Sequence, residues 1–221
     1  FVPSGTMGNL ISILVHCPRG SEVILGNKAH TFVYEAGGIS ALGGIHSHQL
    51  ENLPDGTMRI DDIVQAIRGD NVHFPKTSCI ALENTHNICN GAPLEMTFLE
   101  SVYQVAQEHA LNIHTDGARI FNAAAALNTT VTELCRYTDS ITFCLSKGLT
   151  SPVGSIICGT EDFIYHARRT RKVLGGGMRQ AGILAAAGLV SLNQMTTQLN
   201  TDHQNLSKLA EGLATINAIE L

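Results

Sequence analysis

The sequence predicts an α/β domain: a largely parallel sheet flanked by helices. Two observations point there. Helical and strand patterns alternate along the 221 residues, which is the signature of strand–helix–strand units. Polar and charged residues recur where strand patterns end, as they do in open α/β sheets that bind ligands at the carboxyl ends of their strands. The length is enough for one such domain with a sizeable core.

Taken in order, residues 6–16 (TMGNLISILVH) read as a helix that starts at a Ser-Gly-Thr turn. Residues 21–26 (SEVILG) form a short strand, 61–68 a short helix, and 78–83 (SCIALE) a buried strand. Residues 97–110 form an amphipathic helix, and 112–116 (NIHTD) a strand ending on a carboxylate. A strand over 139–145 (DSITFCL) runs into Ser146-Lys147-Gly148, and 153–158 is a further strand that could run antiparallel. Residues 161–173 form a helix, an Ala-rich apolar helix begins at Arg179 or Gln180, and another element begins near Ser207. No internal repeat or low-complexity linker interrupts this order.

Composition excludes several classes. Hydrophobic residues make up 44% and charged residues 15%, which suits a soluble, well-packed protein. A net charge of -5 offers no basic face to nucleic acid or anionic lipid, so neither is expected as a partner. No apolar run of about 18 residues is readable as a membrane span. The six cysteines include no CxxC pair, and most sit in apolar runs. Buried free thiols in a reducing compartment are therefore preferred over a disulfide or zinc framework, with the cytoplasm as the expected location. No signal or transit peptide is visible. The chain opens at Phe1 without a Met and stops at Leu221 inside a helical pattern, so it reads as truncated, and a targeting segment could precede it.

Five constellations carry chemistry. Lys147 follows an apolar strand, where burial would lower its pKa and free the amine as a nucleophile, although a lysine at a strand end can also be a plain surface residue. Asp116 ends a strand and is followed by the small Gly117 and Ala118, then by Arg119. It could face a bound heterocycle or simply cap a helix. Ser4-Gly5-Thr6 opens a helix with free N–H groups and a hydroxyl, which suits a phosphate as well as an ordinary cap. His30 and His86 each follow a strand and could stack on a ring or exchange a proton, but ten histidines are present. Gly175-Gly176-Gly177 precedes Arg179, which could reach an anion in this subunit or a neighbour. The Walker A lysine pattern, HExxH-type zinc spacing and a dinucleotide fingerprint are all missing.

In combination these motifs resemble the threonine aldolases, fold-type I (aspartate aminotransferase-like) enzymes dependent on pyridoxal 5'-phosphate (PLP). The resemblance runs through nearly the whole chain: SGTMGN at 4–9, AHTFVYEAGG at 29–38, LENTHN at 82–87, HTDGARIFNA at 114–123, LSKGLTSPVGS at 145–155 and GGGMRQAGILAAAG at 175–188. It implies that residues 1–200 are a PLP-binding large domain and that 201–221 begin a C-terminal small domain that is cut short. It implies Lys147 as the Schiff-base lysine, Asp116 as the partner of the pyridine nitrogen, and Arg119 near the phenolic oxygen and substrate carboxylate. His30 matches the histidine stacked on the ring, and His86 a second histidine near the substrate hydroxyl. Gly5 and Thr6 match phosphate ligands, and Arg179 a phosphate-contacting arginine donated within the subunit or across a dimer. The implied reaction cleaves L-threonine or L-allo-threonine to glycine and acetaldehyde, with His86, His30 or a held water as base. A homodimer or homotetramer is implied, with an amino acid as small-molecule substrate and no metal. The loop Asn87–Gly91 departs from the commoner family pattern, in which glycine follows the asparagine closely. The alternatives are a β-eliminating lyase of the same fold and a remnant without activity.

Overall fold

The computed structural model describes residues 1–220. Its helices and strands run in the order α1 (Gly5–His16), β1 (Glu22–Gly26), α2 (His30–Val33), α3 (Gly38–Ala41), β2 (His46–Leu50), α4 (Ile60–Ala66), β3 (Thr77–Glu83), α5 (Met96–Glu108), β4 (Asn112–Asp116), α6 (Ile120–Ala126), α7 (Val131–Leu134), β5 (Ser140–Cys144), β6 (Ser155–Gly159), α8 (Glu161–Val173), α9 (Gly182–Gln194) and α10 (Gln198–Leu213). The six strands form one sheet in the order β2-β1-β3-β4-β5-β6. Every pair is parallel except β5 with β6. No helix among the described residues is long and apolar enough to cross a membrane.

The central strands are buried nearly throughout because both faces are covered. Side chains alternate between two layers. Val23, Leu25, Cys79 and Ala81 meet Leu10 and Ile13 of α1 and Ile39 of α3. Ile24, Ile80, Leu82 and Ile113 meet Ile63 of α4 and Leu99, Val102 and Val105 of α5. Helix α8 lies beside α1, where Phe163 and Ala167 bury Ile11 and Val2. Its ends follow helix electrostatics: Thr160 caps the Phe163 N–H, Glu161 and Asp162 sit in the first turn, and Arg171 and Lys172 in the last.

The first residues close the domain. Val2 and Ser155 exchange two backbone hydrogen bonds of 2.9 Å, tying the chain's start to β6. Just after, Ser4 caps α1, its hydroxyl accepting the Met7 N–H at 3.2 Å. Helix α1 then lies directly on β5 through Gly8, where a Cβ would overlap Thr142 Cγ2. Gly8→Ala is therefore expected to lower stability by about 1–3 kcal/mol through overpacking, outweighing its helix-propensity gain. Gly212→Ala, in α10 with nothing within 4 Å of the added carbon, is expected to gain about 0.5–1 kcal/mol. Urea midpoints of both variants check the pair; two shifts of the same sign would contradict it.

The last helix departs from the expectation of an element starting near Ser207. Helix α10 begins nine residues earlier and runs through residue 200. Leu199 fastens its first turn against Leu145 and Leu149.

Candidate active site

Parallel strands deliver their carboxyl ends to one edge. Glu83 and Asp116 are register partners at the ends of β3 and β4, and Asp116 is paired with Thr142 of β5. Two residues past the end of β5 comes Ser146-Lys147. The β5–β6 connection is held by hydrogen bonds from Leu145 N–H to the Gly154 carbonyl and from Thr150 N–H to the Lys147 carbonyl, both 2.9 Å. Thr150 has φ 61, a conformation costly for a β-branched residue, so this loop is tightly determined.

These ends enclose a cleft of about 230 Å³. Ser4, Gly5 and Thr6 form one end, at the start of α1. His30 and Glu35 form a wall, and Asp116 and Lys147 face the same space. A cavity beside Phe1 and Arg171 is larger, at about 410 Å³. Its only charged side chains are Arg168 and Arg171, and no carboxylate or histidine converges there, so volume does not decide between the two. Among the described residues, Lys147 makes no side-chain hydrogen bond or ion pair, and it is half-buried. Inside helix α1 the first-turn N–H groups of Gly5 and Thr6 have no partner, which leaves an anion-ready end.

Three carboxyl groups converge on the floor. Glu35 is turned back into the cleft by a sharp reversal in which Ala36 and Gly37 both have positive φ (53 and 64). The amide nitrogen of Asn9 donates to Glu35 Oε1 and to Asp116 Oδ2, each at 2.9 Å. The Ala118 N–H donates to Asp116 Oδ1 at 3.1 Å. Burial, then the nearby Glu83 and Glu35, push the Asp116 carboxyl up to about 6, against the pull of Lys147 and His30. His30 Nδ1 lies 3.1 Å from Glu35 Oε1, and this bond raises the imidazole's pKa against its partial burial. The other ring nitrogen of His30 is left for the cleft.

Glu83 holds the two histidine-bearing segments. Its Oε2 accepts the His30 backbone N–H at 2.7 Å, and its Oε1 accepts the Asn87 N–H at 2.9 Å. His86 sits behind it, only 1% exposed, with Nε2 3.8 Å from Glu83 Oε2 and with no hydrogen bond at either ring nitrogen. It does not line the cleft. Arg119 occupies the N-cap of α6, and its side chain makes no hydrogen bond among the described residues. Arg179 is exposed in the segment before α9, also away from the cleft wall. The cleft thus brings together Gly5, Thr6, His30, Asp116 and Lys147, and leaves His86, Arg119 and Arg179 outside its lining.

The comparisons with known proteins agree with this architecture. A family model described as beta-eliminating lyase matches residues 1–221. The chain belongs to the beta-eliminating lyase family. Within that family it is 50% identical over 224 residues to low-specificity L-threonine aldolase 1 of Arabidopsis thaliana, covering 100% of this chain and 63% of that protein. It is 45% identical over 213 residues to low specificity L-threonine aldolase of Escherichia coli K12, covering 96% of this chain and 63% of that protein. The solved threonine aldolase of Leishmania major superposes with a TM-score of 0.81 over 97% of this chain and 63% of that one, at 23% identity, which shows the shared fold. The chain therefore spans about 63% of the length of these relatives.

Two members of this beta-eliminating lyase site are not singled out by the sequence: Asn9 and Glu35. Each lies inside a quoted motif, yet neither type announces a role. The available signals are positional: Asn9 is one helical turn beyond Gly5, and Glu35 precedes an Ala-Gly-Gly reversal.

Behind Asn9, His114 is fully buried and His16 partly so, with Asp139 opposing the effect of burial on His16. Burial holds His114 down at about 3, helped by His16, and holds His16 at about 4. Unfolded histidine titrates near about 6.5, so between those values the unfolded chain binds more protons and stability rises with pH. Asp116 acts oppositely, since its raised pKa makes the folded chain lose stability as pH rises from about 3.8 to about 6. Both histidine windows are wider, so they prevail. Stability is expected to fall by on the order of a few kcal/mol from pH 6.5 to 4. Urea unfolding at both pH values checks this. His16→Gln should flatten the dependence; an unchanged slope would contradict it.

Proposed function

We propose that this chain is the cofactor-binding part of a PLP-dependent aldehyde-lyase that cleaves L-threonine or L-allo-threonine to glycine and acetaldehyde. The observation that carries the reading is the placement of Lys147 and Asp116 on one small cleft whose far end is the start of a helix. The cleft fits PLP on three counts. A primary amine stands free to take an aldehyde. A buried carboxyl group, crowded by two others and pushed up to about 6, lacks the cation that a pyridinium nitrogen would bring. The unpartnered N–H groups of Gly5 and Thr6 suit a phosphate.

Bound there, PLP supplies an electron sink for the pair left when the Cα–Cβ bond breaks. The residues do the rest. Lys147 would hold the cofactor through its amine, and the same amine would serve beside the substrate as a proton donor and acceptor. Asp116 would hold the pyridine N–H. Its own partners, Asn9 and Ala118, fix both oxygens. His30 would stand against the bound cofactor and could take the proton from the substrate hydroxyl through Nε2, while Glu35 orients it through Nδ1. That is the usual arrangement of a base aimed by a carboxylate. His86 supports this layer from behind Glu83. Arg119 and Arg179 serve substrate and phosphate anions, Arg179 within its own subunit or from a second copy. A homodimer or homotetramer accords with the exposed Ile183, Leu189 and Val190 of α9.

The test is to load the protein with PLP, reduce with borohydride and map the modified peptide, then to identify products from threonine. A label on Lys147 with glycine and acetaldehyde supports the reading. 2-Oxobutyrate with ammonia points to β-elimination, and a label elsewhere or none removes Lys147 from its role.

A further inference from the structure

The hydrogen bonds leading away from Asp116 have a single direction. Asn9 Nδ2 touches carboxyl oxygens of both Glu35 and Asp116 at 2.9 Å. Two acceptors fix that atom as the amide nitrogen, with one proton for each. The Asn9 oxygen is thereby turned to His114 Nε2, at 3.2 Å. An amide oxygen only accepts, so His114 carries its proton on Nε2 and offers Nδ1 as a lone pair. Nδ1 lies 2.8 Å from Ser140 Oγ, so Ser140 donates there. Its oxygen is left to accept from His16 Nε2, at 2.7 Å. Every donor from His16 inward points toward Asp116, and the two central members are buried, Asn9 at 1% and His114 at 0% exposed.

The consequence falls on Asp116. One oxygen receives the Asn9 N–H and the other the Ala118 N–H. No protein group behind it can accept, so any proton on Asp116 has to point into the cleft. We propose that Asn9 and His114 are positioning residues that hold Asp116 as an acceptor facing the cleft, through a one-way chain of hydrogen bonds that starts at His16. This rests on the reading of the cleft as a PLP site. A purely structural role would instead make the His114–Ser140 contact a simple cross-strand tie, since these two residues are register partners of β4 and β5.

Two measurements on the full chain separate these accounts. The first uses histidine-labelled protein without PLP and reads the His114 ring nitrogens by NMR at neutral pH. The neutral Nε2–H form is expected; an Nδ1–H or doubly protonated ring would overturn the chain of donors. The second follows PLP affinity by absorbance. Asn9→Leu and His114→Phe are each expected to weaken binding about tenfold or more, the loss typical of a hydrogen bond to a charged group. His114→Gln, whose amide nitrogen can replace Nε2, should stay within about threefold of the parent. In an Asp116→Asn background, His114→Phe should change affinity by less than about twofold. The same tenfold loss in both backgrounds would overturn action through Asp116. If His114→Phe does not fold, the same comparison made with Asn9→Leu decides the question. Failure of the parent protein to take up PLP would overturn the reading of the cleft, whereas the tautomer result stands apart from PLP.

Discussion

Lys147→Ala is expected to lower threonine cleavage by on the order of a thousandfold or more while leaving the fold intact. The side chain is half-buried and has no hydrogen-bond or ion-pair partner among the described residues, so its removal strands no buried group. Its stability effect should stay within about 0.5 kcal/mol. Activity, by contrast, loses both the amine that would hold the cofactor and the proton carrier beside it. Lys147→Arg should not restore it, because a guanidinium stays protonated and cannot act as the amine. Steady-state acetaldehyde release, with borohydride mapping alongside, checks the prediction. A variant that retains a tenth of the parent's turnover would remove Lys147 from the chemistry.

Asp116→Asn is the second large expected loss. The substitution keeps the shape but replaces a carboxyl oxygen with an N–H. That new donor faces either Asn9 Nδ2 or the Ala118 N–H, and both need an acceptor at this point. Turnover is expected to drop by on the order of 10²–10³, the usual cost of removing one aimed electrostatic partner. The stability of the cofactor-free protein should respond differently. The parent keeps a buried carboxyl whose ionisation is opposed by Glu83 and Glu35, and that opposition weakens the fold as pH rises from about 4 to about 6. The variant lacks this contribution, so its stability should rise more steeply with pH across that range. Urea midpoints and turnover, measured together, check both halves. Unchanged turnover would show that Asp116 does not face the reacting cofactor.

The strands that carry the site are legible because each sits between helical patterns or turns and ends on an unusual residue. The residues 78–83, 112–116 and 139–145 appear as β3, β4 and β5 within a residue or two. The pattern of β6 leaves its direction open, and only the sheet decides it. Strand β2 is not legible at all. His46-Ser47-His48-Gln49-Leu50 has no apolar alternation, because β2 is the edge strand and its side chains are half-buried or exposed. Its histidines instead reach the buried Glu22 carboxyl, His48 at 3.2 Å, beside Arg68 at 3.0 Å. The short helices α2, α3 and α7 are each four residues long, too brief for periodicity to show. In the site, Lys147, Asp116, His30 and the Gly5–Thr6 turn are legible as residue types at element ends. Asn9 and Glu35 are not. Their roles arise from contacts such as Asn9 with Asp116, 107 positions apart, and no local pattern encodes that pairing. His86 shows the converse: a suggestive position after a strand end, but a ring turned behind Glu83.

The two hydrogen bonds between Val2 and Ser155 set a schedule for synthesis. Once Val2 has left the ribosome, its strand partner follows only after about 150 more residues, which at about 5–20 residues per second is on the order of ten seconds. Until α8 follows, Ile11 of helix α1 lacks the Phe163 and Ala167 contacts that bury it, and Asn9 has no partner before Asp116 is made. The nascent chain therefore carries Ile11 uncovered on this side through most of the domain's translation, whereas Leu10 and Ile13 already meet β1 and β3. The cleft, which joins Gly5 and Thr6 to Lys147, cannot form before Lys147 has been made.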